Sequence, residues 1–187
     1  HMKILVCISS VPDTTSKINF TADKSAFDKN GIQWVINPYD EFALTKAVKL
    51  QESQGATVTI ATVGDAATEA VMRKALAIGA NDAIRVNAEP QDSITVAKEL
   101  AKIVEEGGYD LVFCGKESID YNGAAVPAMI AQLLNRPFVN ACVGLEVNGA
   151  EATVVREIEG GKETLTVKIP AVIAGQKGMV EEKDLII

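Results

Sequence analysis

The sequence predicts an α/β protein: a mostly parallel sheet with helices on both faces, extended by an antiparallel β-hairpin. Three observations predict it. Short aliphatic runs alternate with stretches of helical apolar spacing through the first two thirds of the chain, the order of strand–helix–strand units with right-handed crossovers. The runs show no polar alternation, as expected of strands covered on both faces. Hydrophobic residues make up 48% of the chain while aromatics are only 5%, so the core is built from Val, Ile, Leu and Ala. At 187 residues, one domain with an appendage is the natural organisation.

Lys3–Ile8 (KILVCI) reads as the first buried strand, and Ser9 to Asp13 turn out of it. Residues 14–34 form a long, mostly polar segment; a loop of that length is usually functional or part of an interface. Asn37-Pro38-Tyr39-Asp40 starts a helix: Asn37 is a good N-cap, Pro38 suits the first helical position, and Asp40 falls where a capping-box acid belongs. Ala43, Leu44, Ala47 and Val48 supply its apolar stripe. Thr57–Val63 is the second strand, ended by Gly64-Asp65. Glu69–Ile78 is a helix closed by Gly79, Asp82–Val86 the third strand, and Ser93–Glu106 an amphipathic helix stopped by Gly107-Gly108. Leu111, Val112, Phe113 and Cys114 form the fourth strand. Gly115 lets the chain leave it in a conformation closed to other residues, and Gly123, Ala124 and Ala125 open a helix whose first turn has almost no side-chain bulk.

After Pro137 the rhythm changes. Val139–Val147, Ala152–Glu159 and Glu163–Lys168 read as strands without helices between them, with a tight turn at Gly160-Gly161. Residues 137–170 are thus a β-rich extension, an antiparallel ribbon leading away from the sheet. Pro170–Ala174 resembles one more core strand. The tail from Gly175 to Ile187 is polar until it reaches Leu185-Ile186-Ile187.

Composition narrows the function. The net charge is −7 with four arginines, which argues against nucleic acid or an anionic membrane as partner. No apolar run approaches the ~20 residues of a membrane span, and no signal peptide is visible. His1-Met2 reads as a remnant of tag cleavage ahead of a natural start at Met2, and His1 is the one histidine. Without it no imidazole is on hand for a catalytic triad or a metal. Cys7, Cys114 and Cys142 are odd in number and too scattered for a zinc site; they read as buried thiols in a reducing cytoplasm. Composition leans away from an enzyme.

Four segments project from strand ends on one side of the sheet: Cys7–Ser10, Val63–Asp65, Gly115–Gly123, and the cap Asn37–Asp40 if its helix begins there. Together they describe a cleft able to hold a nucleotide, with backbone N–H groups on phosphate and small residues under the ring. No Walker or G-x-G-x-x-G motif is present. Lys116 either contacts a phosphate or is solvated, and Asp120 either binds a ribose hydroxyl or caps the next helix. The spacing of Asp13 and Asp120 does not support acid–base work.

At this point the chain resembles the β subunit of an electron transfer flavoprotein. The match is most specific in VVREIEGGKETLTVKIPAVIA, Val154–Ala174, with Arg156, the turn Glu159-Gly160-Gly161, Glu163, and Pro170 before Val172-Ile173. Asn37-Pro38-Tyr39-Asp40-Glu41, the strand ending in Val11-Pro12-Asp13 and the loop GKESID, Gly115–Asp120, fit in order and spacing. The resemblance covers essentially the whole chain and implies a Rossmann-like fold. It implies a cytoplasmic, soluble electron carrier with no reaction of its own, paired with an α subunit that holds most of the FAD at the shared interface. Electrons would arrive from acyl-CoA and related dehydrogenases and leave towards a quinone reductase. It further implies AMP in the cleft, held by Cys7, Asn37, Pro38, Tyr39, Asp40, Val63, Cys114, Gly115, Lys116, Glu117, Ser118, Ile119, Asp120, Tyr121, Asn122, Gly123, Ala124 and Ala125, and assigns no metal.

After Asp120 this chain reads Tyr121-Asn122-Gly123-Ala124-Ala125-Val126-Pro127, neither the Asn-Gln-Thr-Gly of many AMP-binding members nor the Gly-Asp-Thr-Ala-Gln of flavin-bifurcating ones. The alternative to AMP is therefore a FixA-like subunit with a second FAD in the cleft. A rival of another class is a universal-stress-type nucleotide-binding protein, which shares the fold logic but lacks the Arg156–Pro170 ribbon. Family members continue past the position of Ile187 with an arm around the α subunit, which makes residues 175–187 the start of that arm. Leu185, Ile186 and Ile187 are expected to dock on a dehydrogenase; the alternative is that they pack on this protein's own sheet.

Overall fold

The structure, a computed structural model, describes residues 1–13, 19–20, 27–28, 33–65, 68–87, 93–116 and 126–185. In chain order these give β1 (Lys3–Cys7), β2 (Ser10–Pro12), β3 (Asn19–Phe20), β4 (Phe27–Asp28), β5 (Trp34–Ile36), α1 (Pro38–Gln54), β6 (Thr57–Val63), α2 (Glu69–Ile78), β7 (Asp82–Val86), α3 (Ser93–Gly107), β8 (Leu111–Gly115), α4 (Val126–Leu134), β9 (Phe138–Asn148), β10 (Glu151–Ile158), β11 (Gly161–Lys168) and β12 (Ala171–Gly175).

Eight strands join in one sheet, in the order β11-β10-β9-β12-β8-β1-β6-β7. From β9 to β7 every neighbouring pair is parallel, and β10 and β11 fold back antiparallel. The α/β fold with helices on both faces is therefore present, and the reason is visible in strand parity. Successive side chains of a strand point to opposite faces, and in β1, β8 and β12 both sets are apolar. Ile4, Val6, Leu111, Phe113 and Ile173 meet α1 and α2 through Leu44, Ala47, Val71 and Ala75. Leu5, Val112 and Val172 meet α3 and α4 through Ala97, Leu100, Val104 and Ile130. Each fully buried aliphatic is worth about 1.5–3 kcal/mol, so these two layers, mostly aliphatic around Phe113 and Tyr109, carry much of the stability.

Helix α1 ends as its sequence dictates. The Asn37 side chain accepts from the Tyr39 N–H at 3.0 Å, and Gly55, at φ 72°, donates its N–H to the Gln51 carbonyl.

The ribbon does not leave the sheet. Its first strand, β9, is hydrogen-bonded to β12 and buries Val139, Cys142, Leu145 and Val147 on the α1 side. Gln54 at the end of α1 donates to the Val147 carbonyl at 3.0 Å. A register shift between Ile173 and Gly175, beside Ala141 at φ 56°, bends β9 where the ribbon begins, as β-bulges do. Arg156 and Glu163 are register partners on β10 and β11 with Nε to Oε1 at 3.1 Å, a half-exposed pair worth roughly 0.2–1 kcal/mol.

Two regions differ from the sequence reading. The stretch read as one loop over residues 14–34 contains strand β3 paired with β4, and its end, Trp34, belongs to β5, which pairs with β2. Strands of two or three residues are too short for a readable alternation. The tail is also better packed than its polarity promises: Gln176, Met179 and Val180 are buried. Asp184 reaches Lys49 of α1 at 3.0 Å. Leu185 is half-buried, and Ile186 and Ile187 lie outside the described residues.

Candidate functional site

The order of the sheet creates a crevice. From β1 the chain passes through α1 to β6 and then outward to β7, while α3 carries it back to β8 on the other side of β1. At the carboxyl ends of β1 and β8, one chain departs towards α1 on one face and the other towards α4 on the opposite face. Such a switch point is where open α/β sheets bind ligands.

A cleft of about 430 Å³ lies there, within the range of small-molecule sites. The ends of β1 and β8 contribute Cys7, Ile8, Ser9, Cys114 and Lys116. Asn37 to Asp40 form the wall at the start of α1, and Ala61 and Val63 come from β6. Ser93, Val96 and Leu100 of α3, with Val126 and Pro127 of α4, close the other side.

Asp40 holds these pieces in register. It is 7% exposed. Its Oδ2 accepts from the Ser9 N–H at 2.8 Å and the Ser9 hydroxyl at 2.9 Å, while its Oδ1 accepts from the Gly115 N–H at 2.9 Å. One side chain thus ties the first turn of α1 to the ends of two adjacent strands. The Asn37 N–H donates to the Ser9 carbonyl at 3.0 Å, and the Lys116 N–H to the Gly175 carbonyl at 2.7 Å. The capping-box geometry expected of Asp40 gives way to this bridge, because the Asn37 N–H is already bound by Ser9.

Gly115 is needed for a different reason from the one its sequence position offered. Its φ lies outside the left-handed region. A Cβ there would stand 2.4 Å from Asp40 Oδ1, 2.6 Å from the Asp40 nitrogen and 2.7 Å from the Tyr39 carbonyl carbon. The helix start approaches the strand so closely that no side chain fits between them.

Of the residues anticipated from sequence, Cys7, Asn37, Pro38, Tyr39, Asp40, Val63, Cys114 and Lys116 all line this cleft, and Gly115 lies beneath its wall. Tyr39 is 43% exposed at the cleft and meets Phe42 edge to face. Glu117, Ser118, Ile119, Asp120, Tyr121, Asn122, Gly123, Ala124 and Ala125 lie outside the described residues. The side supplied by α3 was missed. Val96 and Leu100 read as an ordinary apolar stripe, and Ser93 as a helix start; only the return of α3 across the sheet brings them to the site.

Three shifted titrations belong to residues that do not line the cleft. Burial pushes the Cys142 thiol up, against the Gly144 carbonyl that its Sγ meets at 3.2 Å. Burial lowers Lys46 on α1, with Cys142 and Glu146 acting in the opposite sense. Burial likewise lowers Arg136, opposed by Asp110 and Glu105. Among the described residues no group of three or more His, Cys, Asp or Glu is placed to hold a metal ion. None of the helices described is long and apolar enough to cross a membrane.

A doubly wound α/β protein with its crevice at the switch point belongs to the large class that binds small ligands, nucleotides above all, at strand ends. Comparison with known proteins narrows that class. The profile of the family described as "Electron transfer flavoprotein domain" matches residues 25–185. The chain is 32% identical over 186 residues to the electron transfer flavoprotein subunit beta of Bacillus subtilis, covering 97% of this chain and 72% of that one. It is 35% identical over 179 residues to the subunit of the same name from Thermoanaerobacterium thermosaccharolyticum, covering 94% and 68%. It is 34% identical over 190 residues to the protein FixA of Azotobacter vinelandii, covering 96% and 67%. The chain belongs to the electron transfer flavoprotein β-subunit and FixA family.

Proposed function

We propose that this chain is the β-type subunit of a heterodimeric electron transfer flavoprotein, with a nucleotide in the cleft and a flavin enclosed jointly with an α subunit. In this reading the chain performs no bond-making chemistry of its own. Electrons come from acyl-CoA and related dehydrogenases, reside on the FAD at the shared interface, and pass towards a quinone reductase. The observation that carries the reading is the convergence of eight sequence-anticipated residues on one cleft at the switch point. What fits a nucleotide there is the donor set: small and apolar side chains at Cys7, Ala61 and Val63, a cation at Lys116, and the exposed ring of Tyr39. AMP is the ligand proposed. Its phosphate would lie near the Lys116 ammonium, just past the carboxyl end of strand β8.

A second reading is kept because FixA matches at nearly the same identity as the β subunits: the cleft holds a second FAD, as in a bifurcating complex. Purifying the native heterodimer, releasing its nucleotides and separating them by chromatography tests both. AMP and FAD in equal amounts support the first reading, and two FAD without AMP the second. ATP, or no nucleotide in the β cleft, would sink the proposal.

A further inference from the structure

We infer that Cys7 and Cys114 form a vicinal dithiol in the floor of the cleft, a modification site that a peroxide converts to an intramolecular disulfide. The two residues are register partners at the carboxyl ends of the adjacent parallel strands β1 and β8. Strand parity puts their side chains on the same face: Leu5, two residues before Cys7, and Val112, two before Cys114, both belong to the layer under α3 and α4, and Cys7 and Cys114 join it. Both line the cleft.

Neighbouring strands lie about 4.8 Å apart, inside the ~4.4–6.8 Å span of Cα separations that a disulfide bridges. The Cβ atoms must draw together by roughly 1 Å from the strand spacing to reach the usual ~3.8 Å. That adjustment falls on the last residue of β1 and the last but one of β8, at the carboxyl ends of both strands.

Access assigns the roles. Cys7 is half-buried and opens on the cleft, whereas Cys114 is 4% exposed. Cys7 as thiolate attacks one peroxide oxygen; the S–O bond forms, the O–O bond breaks, and the second oxygen leaves as water once protonated. The Cys114 sulfur then attacks the Cys7 sulfenic acid; the S–S bond forms, the S–O bond breaks, and the oxygen leaves as water with the Cys114 proton. Two thiols are oxidised, one peroxide is reduced, and two waters result. Cys142 is an internal control. It lies in the opposite core layer, with its Sγ on the Gly144 carbonyl.

A bridge across the cleft floor also alters the nucleotide site, a consequence that rests on the function proposed above. The test treats the native heterodimer, nucleotide removed, with stoichiometric hydrogen peroxide, followed by alkylation and peptide mapping. The expected product is a peptide linking Cys7 to Cys114. The thiols of this chain fall from three to one, and dithiothreitol restores them. Cys7 carried to sulfinic acid without a link, a link through Cys142, or three surviving thiols would overturn the inference. A Cys7→Ser chain should keep the Cys114 thiol; loss of that thiol alone would equally count against the pairing. Added AMP should slow the linking in proportion to cleft occupancy, about tenfold at nine-tenths occupancy. Linking that is indifferent to AMP bound by calorimetry would detach the dithiol from the nucleotide site. Failure of AMP to bind the reduced protein would refute the nucleotide reading and leave the cross-link result to decide the dithiol by itself.

Discussion

Gly115→Ala is the sharpest test of how the cleft is built. The added methyl would sit 2.4 Å from Asp40 Oδ1 and 2.6 Å from the Asp40 nitrogen, and a backbone atom cannot swing aside as a flexible side chain can. Overpacking of this kind costs about 1–3 kcal/mol. If the carboxyl is driven off, the buried Gly115 N–H loses its acceptor and about 1–3 kcal/mol more is at risk. The lower chain entropy of Ala in the unfolded state returns about 0.4–1 kcal/mol. A net loss of roughly 1–6 kcal/mol follows, which for a chain of this size lowers Tm by roughly 2–24 °C. Thermal unfolding followed by circular dichroism measures the first effect and calorimetry of AMP binding the second, since Asn37, Pro38 and Tyr39 move with the helix start. A Tm within a degree of the parent would mean that α1 does not rest on β8 as closely as described, and the Asp40 bridge would lose its role as the organiser of the cleft.

The remaining predictions follow from single contacts. Asp40→Asn keeps the shape but sets an amide N–H₂ against one of the N–H donors of Ser9 or Gly115, and should cost about 1–3 kcal/mol in urea unfolding; an unchanged midpoint would show that the bridge is dispensable. Lys116→Ala should weaken AMP by about tenfold, ~1.4 kcal/mol, in calorimetry at low salt, with no change in Tm; equal affinity would remove Lys116 from the phosphate. Lys46→Met should stabilise the chain near neutral pH, because burial disfavours the ammonium in the folded state. As pH rises from the lowered folded pKa to the ordinary 10.5, the unfolded chain holds more protons than the folded one. The parent therefore gains stability over that window, and its deficit relative to Lys46→Met closes. A deficit that widens with pH would contradict the sign of the shift.

Much of the architecture was legible because it is local. The bounds of β6, α2 and β7 coincide with their apolar runs, and α1 starts where Asn37-Pro38 says it must. What was not legible depends on residues far apart in sequence. Nothing in Ala171–Gly175 says that this strand enters between β8 and β9. Ser-Val-Pro at residues 10–12 reads locally as the way out of the first strand, because its pairing with Trp34–Ile36 is settled by the return of the chain. Asp40 is the clearest case. Its place at the start of a helix pointed to a local cap, whereas its carboxyl reaches Ser9 and Gly115, 31 and 75 residues away in sequence. Half of the cleft was readable from strand ends; the half supplied by α3 required the crossover.

The position of β12 has a consequence for how the chain comes into being. Of the sheet's strands it is the last in chain order, yet it occupies the interior, with all five residues buried between β8 and β9. A ribosome delivering the chain from its amino end releases β8 and β9 long before the strand that joins them. Until then each presents an unpaired, apolar edge, and the nascent protein consists of two half-sheets awaiting a keystone. Such edges invite pairing with other chains. Completion of the core is thus an event that follows translation of this segment.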